Sequence, residues 1–156
     1  ALPSHVTYVP LDLDANGPLE ALTKAGYQPR ARTVFTWEGS SYFLPERVVD
    51  QTFSLMRRAS GEGSSIVFDF VDWSLLSATP PPWYAQRAAA FVRAQGTPFT
   101  WGLDPARVQQ FIDTQGLTLI EAVNADMMMR HYLVDAHSTV TQPVAPLFGI
   151  ARARKA

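Results

Sequence analysis

TVFTWEGSSYFL, residues Thr33–Leu44, decides the fold, and it does so together with VTYVPLDL, Val6–Leu13. Each is an apolar, β-branched and aromatic run of the kind that forms strands. Each also ends on an acidic residue, Asp12 in the earlier run and Glu38 in the later one. A carboxylate at the carboxyl end of a buried parallel strand stands where open α/β sheets bind ligands. Two such ends within about 30 residues, with a helical segment between them, fit a strand–helix–strand unit.

Working outward, strand and helix alternate along the chain. Val6–Leu11 reads as a strand, and Gly17–Ala25 as a short helix closed by Gly26. Thr33–Trp37 is the next strand. A helix then starts at Pro45 and runs to about Ala59, with Val48, Val49, Thr52, Phe53 and Met56 at helical spacing. Gly61–Gly63 breaks the chain before Ser64–Phe70, whose near-continuous apolar run predicts burial on both faces. Ser74–Pro82 contains three consecutive prolines and reads as a lid or crossover loop. Trp83–Gln95 is helical, and Asp104 caps a helix from Pro105 to Gln115 that Gly116 stops. Leu117–Val123 and Leu147–Ala153 are the last strands, separated by a helical piece at Ala125–Val134 and a polar loop at Asp135–Pro143. The alternation predicts one α/β domain over residues 1–156, with a mostly parallel sheet covered on both faces and a final antiparallel pair.

Composition narrows the function classes. Hydrophobic residues make up 47% and charged residues 17% of the 156, a globular balance. Net charge is −1 with no block of like charge, so neither nucleic acid nor a membrane surface is the expected partner. Arg152, Arg154 and Lys155 form too short a basic tail to change that. The absence of cysteine removes disulfides, thiolate nucleophiles and cysteine-type zinc sites, and it fits a cytoplasmic location. No apolar run reaches the roughly 20 residues of a membrane span, and the amino end shows no signal pattern. The chain begins Ala-Leu-Pro, which is expected of a processed chain or a piece of a longer one.

Candidate site residues follow from the two strand ends. Asp12 is either a turn residue, with Asp14 or Asn16 capping the next helix, or an acceptor for an amino or hydroxyl group of a nucleotide-like ligand. Glu38 stands among aromatics and before Gly39, which lets the backbone approach a ligand closely. Tyr42 either points into the same cleft or packs in the core. Asp69 and Asp72 could do acid–base work or serve capping and solvation. His5, His131 and His137 show no metal-ligand spacing, and Ser40 and Ser41 do not form a nucleophile elbow. Neither a G-x-G-x-x-G nor a P-loop motif is present; Gly61-Glu62-Gly63-Ser64 precedes a strand and is a turn.

The run VTYVPLDLD, the ALTKAGY helix, TVFTWEGSSYFLPERVV and GSSIVFDFVD together resemble the later half of the leucine carboxyl methyltransferase family, S-adenosylmethionine-dependent O-methyltransferases. FTWGLDPARVQQFIDTQGLTLIEAVNADMMMRHYL and PLFGIARA fit the same pattern. The resemblance implies a partial Rossmann-like class I methyltransferase fold, lacking the first two strands and the glycine-rich loop. It implies that Asp12 and Leu13 hold the adenine end of S-adenosylmethionine. Glu38 and Gly39 would meet its amino-acid portion, and Tyr42 would line the substrate side. Two functions follow: methyl transfer to an oxygen, with the remaining half supplied by another polypeptide, or an inactive half-domain that self-associates or binds ligand. A strand Thr33–Trp37 with an unpaired edge predicts a homodimer burying Val34, Phe35 and Trp37.

Overall fold

The computed structural model describes residues 3–14, 17–135, 137, 139–140 and 144–156. Four strands form one sheet: β1 (Val34–Trp37), β2 (Ser65–Val71), β3 (Thr118–Asn124) and β4 (Phe148–Arg154). Their order is β1-β2-β4-β3. β1 and β2 pair in parallel, with Thr36 opposite Val67. β4 inserts antiparallel between β2 and β3, with Phe68 opposite Ala151 and Ala151 opposite Ala122. β1, β2 and β3 therefore run the same way and only β4 opposes them. A mostly parallel sheet with an antiparallel final strand is what the alternation predicts.

Six helices flank the strands: α1 (Pro18–Lys24), α2 (Glu46–Ala59), α3 (Trp73–Leu76), α4 (Trp83–Ala94), α5 (Val108–Thr114) and α6 (Ala125–Tyr132). α2 buries all five apolar-spaced positions named above. Of these, Val49, Phe53 and Met56 join Phe35, Trp37, Ile66, Phe68 and Phe70 on one face of the sheet, and α5 adds Val108 and Ile112 to the same core. Successive strand residues point to opposite faces, so Val71 faces the other side, where it packs with Tyr42, Ala85 of α4 and Leu147. Asp104 caps the turn into α5, its carboxylate accepting the Ala106 N–H at 2.9 Å. At Gly102 the loop before that turn passes so close to β2 that a Cβ would lie 2.5 Å from the Val71 carbonyl oxygen.

Three expectations need correction. Val6–Leu11 is not a strand. A strand persists where its N–H and C=O groups pair with a neighbouring strand; this run pairs with none among the described residues, Pro10 lacks a donor, and Tyr8 stays 69% exposed. Part of the Ser74–Pro82 loop is helical instead, because the Asp72 carboxylate accepts the Ser74 and Leu75 N–H groups and starts α3. The sheet is also not covered on both faces throughout: Val34 is 70% exposed and Thr36 is exposed on the face opposite α2. Asn16, one expected cap of α1, lies outside the described residues. Gly17 occupies the cap position in a left-handed conformation without a side-chain bond.

Candidate functional site

The carboxyl end of β1 is stitched to β2 by a short run of polar contacts. β1 ends at Trp37, whose indole N–H donates to Ser40 Oγ at 2.9 Å. The chain then turns through Gly39, at φ +71, into a 3₁₀ turn at Ser41–Phe43. No atom lies within 4 Å of where a Gly39 Cβ would stand, so the turn faces open space. Its main-chain N–H donates to both carboxylate oxygens of Asp69, at 3.1 and 3.0 Å. Ser41, fully buried, donates its hydroxyl to the Asp69 carbonyl at 2.7 Å. The Tyr42 hydroxyl donates to Asp69 Oδ2 at 3.4 Å.

Charge at this corner is negative and concentrated. Burial pushes the Asp69 carboxyl above its ordinary range, and the nearby Glu38 charge adds to that, against the lowering effect of the Gly39 and Tyr42 donors. Tyr42 is pushed up to about 12, first by burial and then by the Asp69 charge. Glu38 itself is exposed and makes no hydrogen bond or ion pair among the described residues.

The structure places the other candidates as follows. Asp12 reaches the same end of the sheet in a neighbouring cleft. That cleft, of about 370 Å³, is lined by Leu11, Asp12, Leu13 and Asp14 against Leu44, Pro45 and Val48, and Glu38 is not among its walls. One Asp12 oxygen accepts the Asp14 N–H at 2.9 Å. Leu13 packs on the main core, and Asp14 pairs with Arg47 of α2 through both oxygens, so this segment is moored to α2 rather than capping α1. Tyr42 is only 8% exposed, its ring packed against Phe43, Phe99 and Phe148. It lines no open substrate surface; its hydroxyl serves Asp69. Asp72 is occupied as the α3 cap, so it does not act with Asp69 as a carboxylate pair. Sequence reasoning weighed Asp69 as an acid–base or capping residue and missed its bond to the Gly39 turn. Its signal was available: a carboxylate inside an otherwise apolar strand must find donors.

A second cleft of about 440 Å³ opens on the α2 and α5 face, walled by Trp73, Trp101, Leu103 and Phe111 with Glu46 and Arg107. It lies on the side opposite Asp69, since its walls Trp101, Leu103 and Phe111 pack in one core with Phe68 and Phe70, from which Asp69 alternates away.

A four-stranded α/β arrangement of this kind occurs in known methyltransferase structures. The S-adenosylmethionine-dependent methyltransferase from Archaeoglobus fulgidus superposes with a TM-score of 0.53 at 10% identity, over 88% of this chain and 64% of that one. A duf574 family protein from Streptomyces avermitilis does so at 0.56 and 17% identity, over 79% and 44%. The fold is thus Rossmann-like α/β. The sequence model of the family described as leucine carboxyl methyltransferase matches residues 1–57, from the amino end through β1 into α2. Over those residues the match agrees with the resemblance read from the sequence. YktD of Bacillus subtilis (strain 168), which bears the name of an S-adenosyl-L-methionine-dependent methyltransferase, is 24% identical over 125 residues. The match takes in 80% of this chain and 41% of that protein. A Mycobacterium avium (strain 104) protein with the same designation is 36% identical over 63 residues, 40% of this chain and 20% of its own. The chain spans less than half the length of these curated relatives.

Proposed function

We propose that this chain forms one wall of an S-adenosylmethionine-dependent methyltransferase, with the cofactor meeting the carboxyl end of β1. The observation that carries the reading is the Glu38–Gly39 turn: an unpaired carboxylate and an open glycine at the sheet end where such folds take ligands. The residues fit the group. S-adenosylmethionine supplies a methyl group on a cationic sulfonium, beside an ammonium. Glu38, with Asp69 behind it, supplies the opposite charge at that corner. Gly39 lets the backbone come close, and Leu11, Leu13 and Val48 offer an apolar cleft for a flat heterocycle. Asp12 stands at that cleft with one oxygen left to accept an amino group. The names of the curated relatives and the family match over residues 1–57 support the same assignment.

Methyl transfer to an oxygen acceptor is the reaction class the family implies; it is an in-line displacement served by positioning and electrostatics. Such a reaction uses no cysteine and suits a reducing, cytoplasmic setting. Calorimetric titration of the chain with S-adenosylmethionine and S-adenosylhomocysteine tests the reading. Micromolar binding supports it and silence at millimolar ligand overturns it. Glu38→Gln is expected to weaken S-adenosylmethionine binding about tenfold, roughly the 1.4 kcal/mol of one charge-assisted contact.

One observation favours a second reading, an inactive half-domain that self-associates. Among the described residues β1 pairs only with β2 and presents Val34 and Thr36 outward, so its other edge is a template for a second copy or for a complementary amino-terminal half. Phe35 and Trp37 are turned into the core and are not part of that surface.

A further inference from the structure

We infer that Asp69 is a positioning residue: it locks the Glu38–Ser41 turn to β2 and so holds the Glu38 carboxylate where a cationic ligand arrives. The ligand's identity rests on the methyltransferase reading above; the lock does not. Three separate contacts converge on this one residue. Its carboxylate takes the Gly39 N–H on both oxygens and the Tyr42 hydroxyl on one, while its carbonyl takes the Ser41 hydroxyl. Only an ionised carboxylate can do this. It offers acceptors alone, whereas an amide in its place offers one acceptor and a donor that would oppose the Gly39 N–H. Glu38 has no contact of its own to fix it, and Gly39 at φ +71 occupies a region where glycine moves freely. Without the Asp69 carboxylate, the turn keeps the Trp37–Ser40 bond, the Ser41 hydroxyl on the Asp69 carbonyl, and the Phe43 and Leu44 N–H groups on the Ser40 and Ser41 carbonyls, none of which reaches Glu38 or Gly39.

The lock is also conditional on pH. Protonation converts an accepting oxygen of Asp69 into a donor, and burial brings that event to a higher pH than for an ordinary aspartate. The groups that face it are Glu38, whose charge favours protonation, and the Gly39 N–H and Tyr42 hydroxyl, which resist it. Ile150, its partner across on β4, is neutral.

The test is ¹H–¹⁵N NMR of the chain, in the wild type and in Asp69→Asn, Tyr42→Phe and Glu38→Gln. The Gly39 amide is expected to shift with a midpoint above the ordinary aspartate range. It should do so in Glu38→Gln as well, which removes Glu38's own titration, and not in Asp69→Asn. Its hydrogen exchange should quicken about tenfold in Asp69→Asn, while the Phe68 and Ala151 amides stay protected. Should Asp69→Asn fail to fold, the wild-type and Glu38→Gln titrations decide alone. A Gly39 amide that is insensitive to pH, or as protected in Asp69→Asn as in the wild type, overturns the lock. Calorimetry with S-adenosylhomocysteine is the second arm: affinity should fall about tenfold in Asp69→Asn and less in Tyr42→Phe. If the wild type does not bind that probe, the methyltransferase reading fails and the ligand role of the turn with it, while the Gly39 amide still decides the lock.

Discussion

Asp69 and Tyr42 show how a single contact couples stability to pH. The Asp69 carboxyl is raised in the folded protein, chiefly by burial, so the native state binds its proton more tightly than the unfolded chain. Its contribution to stability is therefore full at low pH and declines as pH climbs from the ordinary carboxylate range through the raised value. Urea unfolding of Asp69→Asn across that window should show a flatter pH dependence than the wild type. A slope equal to the wild type's would contradict the burial argument. Asp14, lowered by its bond to Arg47, acts in the opposite sense, but it is exposed and screened. The turn at Glu38 and Gly39 was legible because a carboxylate and a glycine end an apolar run. The Asp69 link was not, since its partner Gly39 lies 30 positions away and only folding brings the two together.

The long elements with strong local signals were read correctly; short α3 was taken for loop, and Val6–Leu11, which depends on a neighbour, was taken for a strand. α2 announces itself by apolar spacing, and Phe53, with no exposed surface, sits edge-on to Phe68 and Trp37. Phe53→Ala should cost about 3–5 kcal/mol by the loss of a fully buried ring and the cavity left behind, measured as a shift in the denaturant midpoint at unchanged m-value. Val6–Leu11 has equal strand propensity but no partner to bond. Propensity supplies a tendency, and pairing supplies the strand. Gly26 and Asp104 were legible because the residues at helix ends act locally, whereas the start of α1 falls on Gly17 and not on Asp14, which pairs with Arg47.

For the whole molecule, the open edge at β1 sets the expected assembly. Light scattering at micromolar concentration should find a dimer if the self-associating reading holds, and Val34→Lys should return it to a monomer by placing a charge on that edge. A monomeric wild type would sink that reading. The alternation of strands and helices made the sheet's directions foreseeable, but the extent of the uncovered face depends on which helices the chain carries.

The place of β4 has its own consequence. Among the described residues β3 has no strand partner but β4, and β2 keeps only β1 without it. The strand that completes the middle of this sheet follows the other three in the sequence, so during synthesis the β2 and β3 edges that it covers stay bare until it emerges, and bare edges favour aggregation. Deleting Phe148–Arg154 should accordingly leave a collapsed, protease-sensitive product rather than a trimmed version of this fold, and limited proteolysis would reveal it.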